Sequence, residues 1–260
     1  GEASYGTASY AYTYDRHVQT FYAGVTYVNY GTFEGYDENG QATSNFTGSE
    51  GALSVGYAYN VPYTDLFIGA SAKLITSSLE SYNSIGGAVD LGFLYINEKN
   101  DLNFALVFRN MGTQFTTYSG IKENLPFEIV AGISQELEYV PIRWHLSVEN
   151  LQQWNISFSN PVRGETNIDG STSPEKISFL NNAFRHVAFG VEIFPKKAFN
   201  FRIGYNFRRG EELRVEEQRN FSGVSLGFGL RMNKLKFNYS YSRYTLAANT
   251  SLFGLTLNFQ

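Results

Sequence analysis

Residues Phe199 to Arg208 read F-N-F-R-I-G-Y-N-F-R, and this stretch decides the fold. Phe199, Phe201, Ile203, Tyr205 and Phe207 share one parity; Asn200, Arg202, Gly204, Asn206 and Arg208 share the other. A strand points successive side chains to opposite faces, so the segment has one apolar, aromatic face and one polar face. Charge and glycine on the second face suit water better than a packed core. This is the dyad of a transmembrane β-barrel strand, with lipid on one side and a polar lumen on the other.

The same phase recurs. Val224, Leu226, Phe228, Leu230 and Met232 alternate with Ser225, Gly227, Gly229 and Arg231, and Leu235, Phe237, Tyr239 and Tyr241 alternate with Lys236, Asn238, Ser240 and Ser242. Leu102–Arg109 and Arg143–Glu149 repeat the alternation. The last segment sets Phe253, Leu255, Leu257 and Phe259 against Gly254, Thr256 and Asn258, an amphipathic end similar to the terminal signal of outer-membrane barrels. A soluble sandwich or lipocalin-like barrel would pack the apolar parity inside. The number of strands carrying aromatics in one phase, and the loop rhythm, favour the membrane barrel.

Composition agrees. The chain has 260 residues, enough for one barrel domain spanning 1–260. Aromatics make up 17%, with 19 Tyr and 22 Phe, material for the girdles at membrane interfaces. Mean hydropathy is −0.26, because alternation hides the apolar face, and no apolar run reaches the length of a spanning helix. With no cysteine there are no disulfides or thiolate metal sites. A net charge of −4 without a basic block argues against nucleic acid as a partner. No signal peptide stands at Gly1, as expected of a processed or incomplete form.

Loop lengths orient the strands. Short joins are expected near 15–16, 61–63, 99–100, 139–141, 195–197 and 233, and longer ones near 32–50, 78–84, 112–125, 156–184, 209–221 and 244–250. Outer-membrane barrels have short periplasmic turns and long external loops, so the two sets face opposite sides of the membrane. About thirteen strands result, near 3–14, 17–31, 51–60, 64–77, 84–97, 101–111, 127–138, 142–154, 186–194, 198–208, 222–232, 234–243 and 251–259. Bacterial barrels favour even counts, so an N-terminal strand missing from this sequence is expected, for fourteen in all.

The polar parity supplies a candidate luminal network of mixed sign: Asp90, Arg109, His145, Glu149, Glu192, Arg202, Arg231 and Lys236, with Lys73, Arg143 and Arg208 on the same parity. Mixed signs suit ion pairs that hold the barrel, not a selectivity ring of one charge. The run Glu211–Glu217 reads as a solvated hairpin tip or a lipopolysaccharide-facing loop. The 156–184 segment is long enough to fold back or to dock a partner. Its Phe158, Phe179 and Phe184, with Tyr36, Phe46 and Tyr118 from other long loops, are candidate docking residues, or else rings that pack loop on loop. No catalytic or cofactor site is expected. His17, His145 and His186 lie on separate elements, no pair has metal-ligand spacing, and neither a nucleophile elbow nor a phosphate-cradling glycine loop occurs.

Ordered blocks along most of the chain resemble the PorQ family, outer-membrane proteins of the type IX secretion system of Bacteroidetes. They include Tyr5-Gly6-Thr7-Ala8-Ser9-Tyr10-Ala11-Tyr12, Tyr27-Val28-Asn29-Tyr30-Gly31-Thr32-Phe33, Leu125-Pro126-Phe127-Glu128-Ile129, Asn150-Leu151-Gln152-Gln153-Trp154 and Arg185-His186-Val187-Ala188-Phe189-Gly190-Val191-Glu192. The resemblance implies a fourteen-stranded barrel similar to FadL and PorV. It also implies membership of a surface attachment complex with PorU, PorV and PorZ, which joins secreted cargo to anionic lipopolysaccharide. In it the PorQ-like member anchors PorZ in the bacterial outer membrane and PorU is the transpeptidase. Family members also carry an N-terminal segment ending in an N-P-A-like turn, which this sequence lacks. The alternative is a FadL-like transporter of hydrophobic small molecules, which requires an apolar pocket inside the barrel.

Overall fold

The computed structural model describes residues 3–15, 18–118, 120, 122–157, 165–166, 172–173, 177–213, 221–244 and 249–259. One sheet of thirteen strands runs in chain order: β1 (Ser4–Asp15), β2 (Gln19–Phe33), β3 (Phe46–Asn60), β4 (Leu66–Leu79), β5 (Tyr82–Asn97), β6 (Leu102–Thr116), β7 (Glu128–Glu136), β8 (Ile142–Val148), β11 (Val187–Ile193), β12 (Phe199–Asn206), β13 (Val224–Met232), β14 (Leu235–Arg243) and β15 (Asn249–Leu257). Between β8 and β11, the short strands β9 (Glu165–Thr166) and β10 (Thr172–Ser173) pair with each other. Helices α1 (Phe179–Arg185) and α2 (Phe207–Glu212) precede β11 and follow β12. No described helix is long and apolar enough to cross a membrane. The fold is all-β and antiparallel, and all thirteen strands read from the dyad are present.

The chain forms two compact units, Gly1–Tyr95 with Leu106–Glu128 and Ile96–Ala105 with Ile129–Gln260. In the first, register lines up an apolar row, Tyr12–Phe21–Tyr57–Ala70–Leu91, beside a polar row, Ser9–Gly24–Ser54–Lys73–Ala88. In the second, Phe201–Phe228–Tyr239–Phe253 form a row on one face, with successive rings at 5.5 Å and 5.0 Å across the last two pairs. Glu136–Arg143–Glu192–Arg202 form a row on the other.

Burial is inverted relative to a soluble core. Phe201 is 44% exposed, Ile203 48% and Leu53 55%, while Glu192 is 7% exposed and Asn200 6%. Among the described residues only Ala88 and Ile156 are buried apolar residues, and no large side chain is fully buried. The hydrophobic surface that a soluble domain would hide lies uncovered along the strands.

Several boundaries differ from the expectation. The quoted stretch stops being a strand at Asn206, whose side chain accepts a hydrogen bond from the Arg209 backbone N–H at 3.0 Å and caps α2. Phe207 and Arg208 are therefore helical, although their alternation continues. β8 ends at Val148, before the expected 154, because Asn150 turns at φ 57° and the Glu149 N–H bonds His186 O at 2.8 Å. β6 runs past Asn110, which sits at φ 58° with its N–H held by Asp90 Oδ1 at 2.8 Å. The join expected to be long near 78–84 is a tight turn: Leu79 and Tyr82 are direct partners, and Glu80 takes φ 55°. Long and short joins therefore do not alternate strictly.

Candidate functional site: a charge ladder and an aromatic cap

The second unit carries the densest polar constellation. Arg143 Nη2 lies 2.8 Å from Glu136 Oε2 and Nη1 lies 3.6 Å from Glu192 Oε2. Arg202 Nε donates to Glu192 Oε1 at 3.1 Å, and His145 Nε2 lies 3.9 Å from Glu192 Oε2. Lys196, from the turn after β11, extends the ladder to Glu136 at 3.1 Å and Asp101 at 3.2 Å. Carboxylates and cations alternate from strand to strand because direct cross-strand partners lie close enough to pair. Three anions balance three cations.

Glycine sets the reach of Arg202. Its partner on β13 is Gly227, so the guanidinium passes over that strand and Nη1 donates to Asn238 Oδ1 on β14 at 3.2 Å. Gly229 has the same role for Asn200: a Cβ there would stand 2.6 Å from Asn200 Oδ1 and 3.1 Å from Asn238 Oδ1. The small side chains on this face of β13 are thus space for the long ones beside them.

Of the expected network, His145, Glu192 and Arg202 meet in this ladder. Asp90 lies in the first unit, 2.6 Å from Lys73. Arg109 pairs with Glu128 at 3.5 Å. Glu149 contributes its backbone and has no ion pair among the described residues. Arg231 and Lys236 face each other beside the 233–234 turn, exposed, and join no ion pair among the described residues. Like charges in opposition repel, and exposure to water makes the arrangement tolerable. Glu136 was legible from its parity with Ser134. Lys196 and Asp101 carried no such signal, since they belong to turns that only the folded register brings together.

The second constellation is a cap formed by residues 149–157, α1 and α2. Ser178 caps α1 by accepting from the Asn181 N–H at 3.3 Å. Phe179, Trp154 and His186 stack in sequence, with centroids 4.7 Å and 5.4 Å apart. The His186 ring nitrogens lie 2.7 Å from Glu149 O and 2.9 Å from Trp154 O, so each faces a backbone carbonyl. Asn182 Nδ2 also donates to Trp154 O. Phe184 packs on Phe207 at 5.5 Å, and buried Arg185 reaches Glu212 at 3.8 Å, which also takes Arg208 at 3.1 Å. Phe179 remains 70% exposed and Leu180 67%.

The other docking candidates divide. Tyr36 is exposed and donates to Glu34 Oε2 at 2.8 Å. Phe46 stacks on Phe33 at 5.3 Å, so it packs within its own hairpin. Tyr118 hydrogen-bonds Ser77. Phe158, like His17 and most of the Glu211–Glu217 run, lies outside the described residues. No protein-family model and no characterised protein matches the chain.

Proposed function

We propose that the chain is an outer-membrane β-barrel whose longer loops anchor a surface partner, as PorQ-like proteins anchor PorZ beside PorU and PorV. The observation that carries the membrane half is the uncovered apolar parity, strand after strand, opposite a face that buries Glu192 and Asn200. An exposed apolar patch of this extent marks contact with a membrane or a partner. In hydrocarbon every backbone polar group needs a partner, so the sheet must close. In an antiparallel sheet of thirteen, the first and last strands run the same way. The anchoring half rests on Phe179 and Leu180, which stand exposed on a helix fixed from below by Trp154, His186 and Asn182. Rigid, exposed apolar groups are the raw material of interface hot spots. The test is Phe179→Ser with Leu180→Ser in native cells. The barrel should stay heat-modifiable in the outer membrane while the PorZ-like protein is released to the medium. A partner retained on the surface would refute the anchoring role of α1.

One observation favours the FadL-like reading. The first unit holds an open, largely apolar depression of about 260 Å³, lined by Tyr22, Gly56, Ala58, Gly92 and Val107 and edged by Thr20, Ser71 and Asp90. The polar-parity face thus contains more apolar lining than parity alone suggests. Under that reading Gly92→Leu abolishes displacement of a fluorescent fatty acid from the purified protein by oleate. Under the anchoring reading no saturable displacement occurs in either form.

A further inference from the structure

Residues 123–126, with Tyr118, lie against the polar-parity face of β3, β4 and β5 and bound a second cavity, of about 340 Å³. That volume is typical of small-molecule sites. The cover is fastened at three places. Asn110 Nδ2 donates to Pro126 O at 3.0 Å, the Glu123 N–H donates to Gln114 Oε1 at 2.8 Å, and the Tyr118 hydroxyl donates to Ser77 Oγ. The Ser77 hydroxyl in turn donates to Glu50 Oε1 at 3.2 Å.

These bonds consume donors and leave acceptors. The cavity still offers the Glu50 carboxylate, which the Tyr30 hydroxyl also hydrogen-bonds, both oxygens of Glu123, a Tyr118 lone pair and the Asn124 side-chain carbonyl. Against them, among the lining side chains, stand the amide hydrogens of Gln114 and Asn124 and the second amide hydrogen of Asn110, none of which carries charge. No lysine or arginine lines the space. Lys73, the cation bonded to the nearby Asn110, is committed to Asp90 at 2.6 Å and to Asn110 Oδ1 at 3.0 Å. Ile75, Leu125 and Pro126 supply an apolar wall. A site rich in acceptors, holding two carboxylates beside a short apolar wall, is complementary to an alkylammonium group.

We propose that this cavity binds a small organic amine, its ammonium held by Glu50 and Glu123 and its methylenes against Ile75, Leu125 and Pro126. The site belongs to the first unit and is independent of the anchoring reading. The experiment is calorimetric titration of the full chain in detergent micelles with 1,4-diaminobutane, and with 1,4-butanediol as the uncharged isostere. Saturable binding of the diamine is expected, with the diol at least about tenfold weaker. Glu123→Gln and Glu50→Gln should each weaken the diamine about tenfold, the worth of one charge-assisted hydrogen bond. Glu98→Gln, in the turn after β5, should change nothing. Glu123 lies outside the strands, so its variant keeps the test decisive even where Glu50→Gln fails to fold. The proposal is overturned by equal affinity for diol and diamine, by an unchanged Glu123→Gln variant, by calcium binding in place of the diamine, or by no saturable heat.

Discussion

Glu192 and Arg202 face each other as direct partners on β11 and β12, with Nε 3.1 Å from Oε1, and Glu192 also receives Arg143 from the opposite strand at 3.6 Å. One carboxylate, nearly buried, therefore holds two guanidinium groups from both neighbours. Removing it leaves both cations without their shared anion. Glu192→Gln should destabilise by about 1–3 kcal/mol, the lower part of that range reflecting the exposure of Arg202. Glu149→Gln should stay within about 0.5 kcal/mol. Urea titration of folding in lipid vesicles measures both, and equal effects would remove Glu192 from the centre of the ladder.

The glycines beneath Arg202 and Asn200 are sensitive to a single methyl. Gly229→Ala places Cβ 2.6 Å from Asn200 Oδ1, and Gly227→Ala places it 2.9 Å from the Tyr239 carbonyl. Overpacking of this kind costs about 1–3 kcal/mol. A Cβ at Gly92 meets nothing within 4 Å, so Gly92→Ala should be close to neutral. The same folding titration ranks the three.

Parity makes a sharp comparison possible. Phe201→Arg and Phe237→Arg put a cation on the apolar face and should cost roughly 2–4 kcal/mol in a bilayer. Thr26→Arg, on the polar parity between Thr7 and Ala52, should cost much less. Asn238 is a poor control, because it accepts from Arg202. Equal costs in vesicles would mean that the apolar face does not meet lipid.

Orientation is checked by labelling. Cysteines replacing Asn39 and Glu123, in the longer joins, should react with an impermeant maleimide in intact cells. Cysteines replacing Lys99 and Lys196, in the short turns, should react only after the outer membrane is opened. The opposite pattern would invert the topology.

Lys196 offers a pH test outside the strands. Hydrogen bonds to Glu136, then to Asp101, hold its ammonium above the ordinary lysine value. A raised folded pKa contributes stability fully below the unfolded value, about 10.4, and loses it as pH rises through the folded value. Lys196→Met should therefore lower the melting temperature slightly at pH 8, with the difference fading in strongly alkaline buffer. The effect is small because the group is exposed to water. A difference that grows with pH would contradict the pairing.

The strands were legible because a two-residue period leaves a direct mark on the sequence: Phe199, Phe201, Ile203 and Tyr205 need no partner to declare their face. Helices α1 and α2 were not. Asn206 ends β12 by capping the next turn, a local hydrogen bond that competes with the ladder and leaves the alternation through Phe207 intact. Leu79 and Tyr82 likewise read as parts of a loop until their pairing closes it to a turn.

Sequence alone therefore determined the strand order, the face of the residues within the strands and the segregation of aromatic from charged side chains there, since these follow from parity within single strands. Only the tertiary structure decided which charges meet. Glu136, Arg143, Glu192 and Arg202 come from separate strands, Lys196 and Asp101 from separate turns, and their pairing depends on register. A one-residue slip between strands would carry each group to the opposite face, so register is settled by the packing of whole strands and not by any segment read singly.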